Sequence, residues 1–472
     1  MKHILTPLIL AAAFTALPAI ADDAAVLDPA IKTQAEALMA AGLKDDVGLE
    51  FTESLTTEIG PRLAGSDAEW RARQWAMIKL KDLNFQQAYI EDFNIPYWER
   101  VTETASVTGA NPQNLAITAL GGSKSTAKGG VEAEVVRFTS LADLKAAPAD
   151  SLTGKIAFID ERMVRAQDGS GYGYAVAKRG GCAQAAADLG AVACLIRSAG
   201  TDSHRMPHTG GMTREGALGA LPAAALAAPD ADQLARLLER GPVNVKLNIQ
   251  VKTADSAASG NVIAEVEGSS LKDEIVLIGC HLDSWDLGTG AIDDAAGCGI
   301  VVAAANLIQQ LPGKPKRTIR VVLYGSEEVG LFGGKAYGEA HADQLDKHVL
   351  VAESDFGAGR IWRLTTGFGE GAMAYAKAMQ DLVAPLGVVP GDNSSKGDSD
   401  VSVLGNMGVP AISADQDGTD YFDLHHTPDD TFDKIDPAAF RQNVAVYAAL
   451  TYVAAETGWE FRKAAAPAIE DQ

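Results

Sequence analysis

From Asn261 onward the sequence alternates between two periodicities. "NVIAEV" and "EIVLIG" are short apolar runs, "GCGIVVAAANLIQQL" has the length and composition of a buried helix, "RTIRVVLYG" returns to a strand pattern, and after another helical stretch so does "HVLVAE". Strands that are apolar throughout bury both faces, and strands separated by helices lie parallel. The pattern predicts an α/β fold with a mostly parallel central sheet flanked by helices. Ligands of such open sheets bind outside the carboxyl ends of the strands.

The polar residues at those ends are unusual. "EIVLIG" runs into Cys280-His281-Leu282-Asp283, "RTIRVVLYG" into Ser326-Glu327-Glu328, and "HVLVAE" into Ser354-Asp355. The stretch "HLDSWDLGTGAIDDAAG", 281 to 297, concentrates one histidine and four aspartates, and "YFDLHHTPDDT" adds His425 and His426 after the short apolar run "PAIS". Carboxylates gathered this closely repel, so a fold that assembles them neutralises them with a cation or keeps one protonated. A donor set of His, Asp and Glu without Cys suits catalytic zinc, or manganese or cobalt, rather than structural zinc. The set is large enough for two ions, which need a shared carboxylate between them.

The rest of the chain narrows the setting. Lys2, the apolar stretch from Ile4 to Leu17 and Ala19-Ile20-Ala21 before Asp22 form the pattern of a secretory signal peptide over residues 1–21. Export to a periplasm or beyond follows, with no membrane association expected after its removal, since no later run offers about 18 to 20 uninterrupted apolar residues. A net charge of -22 without a basic cluster argues against nucleic acid as a partner. Cys182, Cys194, Cys280 and Cys298 lack metal-site spacing; they suit one or two disulfides or small buried thiols. Residues 22 to about 110 read mostly helical, with a capping-box signature at Ser66 and Glu69. After the flexible "GGSKSTAKGG", a mixed unit with strands at "GKIAFIDER" and "VNVKLNIQVK" extends to about Thr253.

The motifs "HLDSWDLGTGAIDDAAG", "GSEEVG", "ESDFG" and "HHTPDDT", in this order, resemble the co-catalytic zinc aminopeptidase and glutamate carboxypeptidase clan. "SWD", "TEIGPRLAGS" and "PHTGG" narrow the resemblance to plasma glutamate carboxypeptidase and its secreted or lysosomal dipeptidase relatives. It implies two Zn2+ per chain: one on His281 and Asp355, one on Glu328 and His426, with Asp293 bridging. It further implies Glu327 as general base and Asp283 behind His281, fixing the imidazole tautomer. The organisation implied is an N-terminal part of the peptidase domain over 22–126, a smaller mixed α/β protease-associated domain inserted at 127–253, and the catalytic domain at 254–472. The activity implied is hydrolysis of dipeptides or short peptides at a free amino terminus by a metal-activated water; such relatives are often dimers, so a homodimer is the assembly the resemblance suggests.

Some positions stay open on sequence alone. His425 competes with His426 as ligand, and the family's ligand directly precedes "T-x-x-D-T", which favours His426. Asp286 and Asp294 read as solvated or capping acids, and His204 and His208, separated by Pro207, as a loop rather than a metal pair. Ser394, Ser395 and Lys396 stand where some relatives carry an oxyanion-stabilising tyrosine, so that role has no residue. Two other functions share the fold: a single-zinc cyclase resembling glutaminyl cyclase, and a non-catalytic binding protein of the transferrin-receptor kind. Retention of both His281 and Asp355 opposes the first, and the complete residue set opposes the second.

Overall fold

A computed structural model describes residues 27–213 and 218–464; the signal pattern at 1–21 lies outside the described residues. At its centre, strand Leu271–His281 runs parallel to Arg317–Tyr324 on one side and to His348–Glu353 on the other, and Ala411–Gln416 continues the parallel set beyond His348–Glu353. Antiparallel strands close this region at both sides: Ile361–Gly367 beside Ala411–Gln416, and Asn244–Val266 beside Arg317–Tyr324. Along the central strand, Val276, Ile278 and Cys280 face one buried cluster while Ile275 and Leu277 face another. Both faces are therefore covered, as the uninterrupted apolar run requires.

One face is packed by Pro29–Gly42, Val47–Ser54, Ala296–Gln309 and Pro437–Glu456. The run Ala291–Gln309 is long and apolar enough to cross a membrane, yet 94% of its apolar window is buried inside the protein, as befits a core helix. Its fully buried Ile300, Val301, Val302 and Ile308 each contribute roughly 1.5–3 kcal/mol. Tyr337, Val401 and Leu404, carried by Phe332–Ala340 and Val401–Asn406, cover the other face.

The N-terminal region departs from the helical expectation. Helices Pro29–Gly42, Val47–Ser54 and Asp67–Asp82 give way to a 21-residue strand, Gln87–Val107, paired antiparallel with the 23-residue strand Asn244–Val266. Pro96 disguises the first strand in the sequence; it sits at a register shift between Ile95 and Tyr97, where a missing N–H breaks no ladder bond. At Asp67–Asp82, Ser66 Oγ accepts from Glu69 N (3.2 Å), but the Glu69 carboxylate turns to Gly65 N (2.7 Å) instead of completing the capping box.

These two long strands carry the sheet onward. Val131–Phe138, Ile156–Ile159, Ala193–Arg197, Ala223–Leu226 and Ile117–Ala119 follow in order from Asn244–Val266, with Ala177–Asp188 packed against this part. Residues between Leu120 and Ala225 form a buried cluster of their own. Thr253 falls inside the long strand, opposite Trp98. Cys182 and Cys194 are disulfide-bonded (Cα–Cα 6.2 Å), as are Cys280 and Cys298 (5.0 Å).

Candidate metal centre and active site

Strand register builds the site. Tyr324 pairs with His281, so Glu327 and Glu328 leave the neighbouring strand just beyond it. Glu353 pairs with Gly279, which brings Asp355 level with His281 on the other side. Asp293 arrives on the turn that opens helix Ala296–Gln309, and the Cys280–Cys298 disulfide straps that helix to the strand carrying His281. Gly297 is required at the end of this turn, because a Cβ there would lie 2.0 Å from Ser354 O.

The side chains converge in two groups that share one carboxylate. His281 Nε2 lies 3.1 Å from Asp293 Oδ1 and 3.2 Å from Asp355 Oδ1; His426 Nε2 lies 3.2 Å from Asp293 Oδ2 and 3.0 Å from Glu328 Oε2. Ligand atoms ~2.0–2.1 Å from one tetrahedral ion stand ~3.3 Å from each other, so these four contacts have zinc-like spacing; His281, Asp293 and Asp355 offer one mutually close set of ligand atoms, and Asp293, His425 and His426 another. Asp293 Oδ2 is buried and receives no well-directed hydrogen bond among the described residues. The residues present fit zinc, with one oxygen of Asp293 turned to each group.

The electrostatics agree. Burial would raise the Asp293 carboxyl, but His281 and His426 outweigh it and hold the group well below its usual range. Burial would likewise depress His281 and His426; Asp355 and Glu328, each first among the opposing charges, outweigh it and hold both imidazoles well above their ordinary value. The carboxylates thus draw positive charge to both sides of Asp293. Glu327, at the rim of the same cavity, is pushed well up by burial, with His281 opposing. Glu328 is also raised by burial, and His426 opposes that shift.

The outer contacts set the ligands' orientation. His281 Nδ1 is 3.0 Å from the Asp283 backbone carbonyl and 3.8 Å from its carboxylate, so the carbonyl makes the short contact. The Asp283 carboxylate instead accepts from Glu327 N (2.9 Å) and Glu328 N (3.3 Å), fixing the loop that carries the two glutamates. His426 Nδ1 donates to Thr209 O at 3.2 Å, leaving Nε2 for a metal. His425 stacks on His426 with ring centroids 3.5 Å apart, but its Nε2 is 3.5 Å from Asp293 Oδ2 and it makes no ion pair with Glu328 among the described residues. Burial, then His426, pushes His425 well below its ordinary value.

Asp294 is buried rather than solvated, its carboxylate accepting from His281 N (3.2 Å) and Gly297 N (3.1 Å); Asp286 pairs with Arg100. Three contributors carried no expectation of a role. Fully buried Arg62, from "TEIGPRLAGS", donates to Thr289 O (2.6 Å) and Gly290 O (2.9 Å), placing a cation among the carboxylates. Asp430, from "HHTPDDT", accepts from Ile292 N at 2.6 Å and ties the histidine loop to the Asp293 turn; burial, then Asp293, pushes it up to about 7. Arg179, from helix Ala177–Asp188, lines the same cavity as Asp293 and Glu327.

His208 of "PHTGG" is no ligand. Its Nδ1 is 2.8 Å from His425 O and its Nε2 2.8 Å from Asp202, so it pins the histidine loop from a segment distant in sequence. His208→Ala should lower affinity for the metal at Glu328 and His426 by ~10-fold to 100-fold, as loss of outer contacts commonly does. Competition with a chromophoric zinc chelator measures it.

Sequence comparisons agree with the geometry. The profile of Peptidase family M28 matches residues 261–451. Carboxypeptidase Q of Mus musculus is 34% identical over 403 residues, covering 85% of this chain and 84% of the mouse protein; that of Homo sapiens is 33% identical with the same coverage. Among solved structures, a Peptidase M28 precursor from Shewanella amazonensis SB2B superposes with a TM-score of 0.90 at 49% identity, covering 93% of this chain and 99% of that one. A zinc aminopeptidase from Bacillus subtilis shares the fold, with a TM-score of 0.66 at 20% identity over 87% of this chain and 95% of that one. The chain belongs to peptidase family M28, among the relatives of carboxypeptidase Q.

Proposed function

We propose that this protein is an exported di-zinc exopeptidase that hydrolyses dipeptides or short peptides at a free amino terminus. The observation that carries the reading is Asp293, whose two oxygens face His281 with Asp355 on one side and His426 with Glu328 on the other. Zinc bound there would supply Lewis acidity toward the scissile carbonyl and ease deprotonation of a water.

The chain's own residues do the rest. Glu327 stands beside this group in the cavity and takes the water's proton at its carboxylate, then returns it to the leaving amine. Asp283 holds the backbone of Glu327 so that a one-residue step separates base from ligand. Tyr172, Val176 and Gly180, from residues 127–253, line the same cavity as Glu327 and Asp355, the part expected of a protease-associated insert. The pattern at residues 1–21 and two disulfides support export to an oxidising compartment.

The test is hydrolysis of a dipeptide panel by the purified protein. A chelator should abolish turnover and zinc restore it, while N-acetylated dipeptides should resist cleavage. Cleavage of acetylated and free dipeptides at equal rates would contradict the requirement for a free amino terminus.

A further inference from the structure

One charge in the cavity is unaccounted for. Arg179 is 8% exposed; its Nη1 donates to Thr209 O (3.1 Å), its Nη2 to Tyr172 OH (2.7 Å), and its buried Nε has no partner among the described residues. Both acceptors are neutral. The other buried arginines among the described residues all face carboxylates: Arg73, Arg197, Arg317 and Arg320 pair with Asp92, Asp160, Glu274 and Glu265, and Arg62 lies in the field of Asp430 and Asp283. A guanidinium does not shed its proton, and a buried charge without a counter-ion is costly.

The position of this cation defines what it can meet. Thr209 O accepts from both Arg179 and His426 Nδ1, so the guanidinium lies one carbonyl away from an imidazole of the metal-binding group. Gly210 makes room for it: a Cβ there would be 2.1 Å from Nη1. The cavity holds about 470 Å³, and its carboxylates at Asp293, Glu328, Asp355 and Glu327 are assigned to metal or proton transfer. Among the described residues no carboxylate of the cavity is left to pair with Arg179, and a substrate anion can take that place.

Resting on the peptidase reading, we propose that Arg179 binds the free α-carboxylate of the residue released from a dipeptide, and that this contact selects dipeptides over longer peptides. In a dipeptide that carboxylate lies one residue beyond the scissile bond. A tripeptide or a C-terminal amide presents a neutral group there and leaves the guanidinium unpaired. Charge-assisted bonds of this kind discriminate strongly because the wrong ligand leaves a buried donor unsatisfied.

The test compares Ala-Ala with Ala-Ala amide on zinc-loaded protein. The wild type should favour the free acid by ~10²-fold in kcat/KM. Arg179→Gln should lose most of that preference, mainly through KM for the acid, while Arg179→Lys keeps part of it. Melting temperatures of both variants show whether each is folded. Equal wild-type rates on acid and amide would overturn the proposal. So would an equal loss on both substrates in folded Arg179→Gln, which would make the residue a support for His426 instead. Calorimetric binding of both ligands to zinc-loaded Glu327→Gln reads the contact without turnover. If the wild type hydrolyses neither substrate, the peptidase reading fails, and this binding ratio still decides the carboxylate contact.

Discussion

Asp293→Asn is expected to lose at least one of two bound metals and to lower dipeptide hydrolysis by ~10³-fold or more. The asparagine keeps the size and the backbone of the turn, but it removes the charge and one of the two oxygens that face His281 and His426 at 3.1 and 3.2 Å. Two dications in one cavity repel, and only an anionic bridge offsets that repulsion. Losing several kcal/mol of charge stabilisation at 1.4 kcal/mol per factor of ten gives the stated loss. Asp294→Asn is the control. Its carboxylate accepts from the backbone of His281 and Gly297, and an amide oxygen retains one of those bonds, so metal should stay bound more fully than in Asp293→Asn. Elemental analysis of both variants checks this; equal metal loss would refute the bridge.

The adjacent glutamates separate base from ligand by the same chemical change. Glu327→Gln keeps the side chain's size but cannot accept a proton, so it should retain both metals and bind substrate while turnover falls by ~10²-fold to 10⁴-fold. Glu328, 3.0 Å from His426 Nε2, is the proposed ligand. Glu328→Gln should lower occupancy at one site, and excess zinc should partly restore its activity. Dipeptide kinetics and metal content, with and without added zinc, distinguish the two. Metal loss in Glu327→Gln with full occupancy and lost turnover in Glu328→Gln would exchange the roles.

How far the sequence reveals this site depends on how local each determinant is. The central strands are legible because burial on both faces leaves apolar runs, and their ends then mark His281, Glu327, Glu328 and Asp355, which the register brings side by side. Arg62 and Asp430 are not legible, because their partners are backbone atoms of a loop far away in the chain. The choice between Asp283's two acceptor groups depends on distances of 3.0 and 3.8 Å that no pattern encodes. Gln87–Val107 is hidden for a different reason. It alternates weakly, carries Pro96, and becomes a strand through its long partner Asn244–Val266, so tertiary pairing decides its conformation. Arg179 follows the same rule: only the fold shows that its guanidinium reaches the metal cavity without a carboxylate partner among the described residues.

A pair of metal ions sharing Asp293 is read from the metal content of the purified chain per mole of protein after equilibration with zinc and removal of the free ion. The shared bridge predicts two equivalents of zinc, falling to one or none in Asp293→Asn. One equivalent in the wild type, as a single-zinc cyclase would hold, or none, as a binding protein on this fold would show, would contradict it.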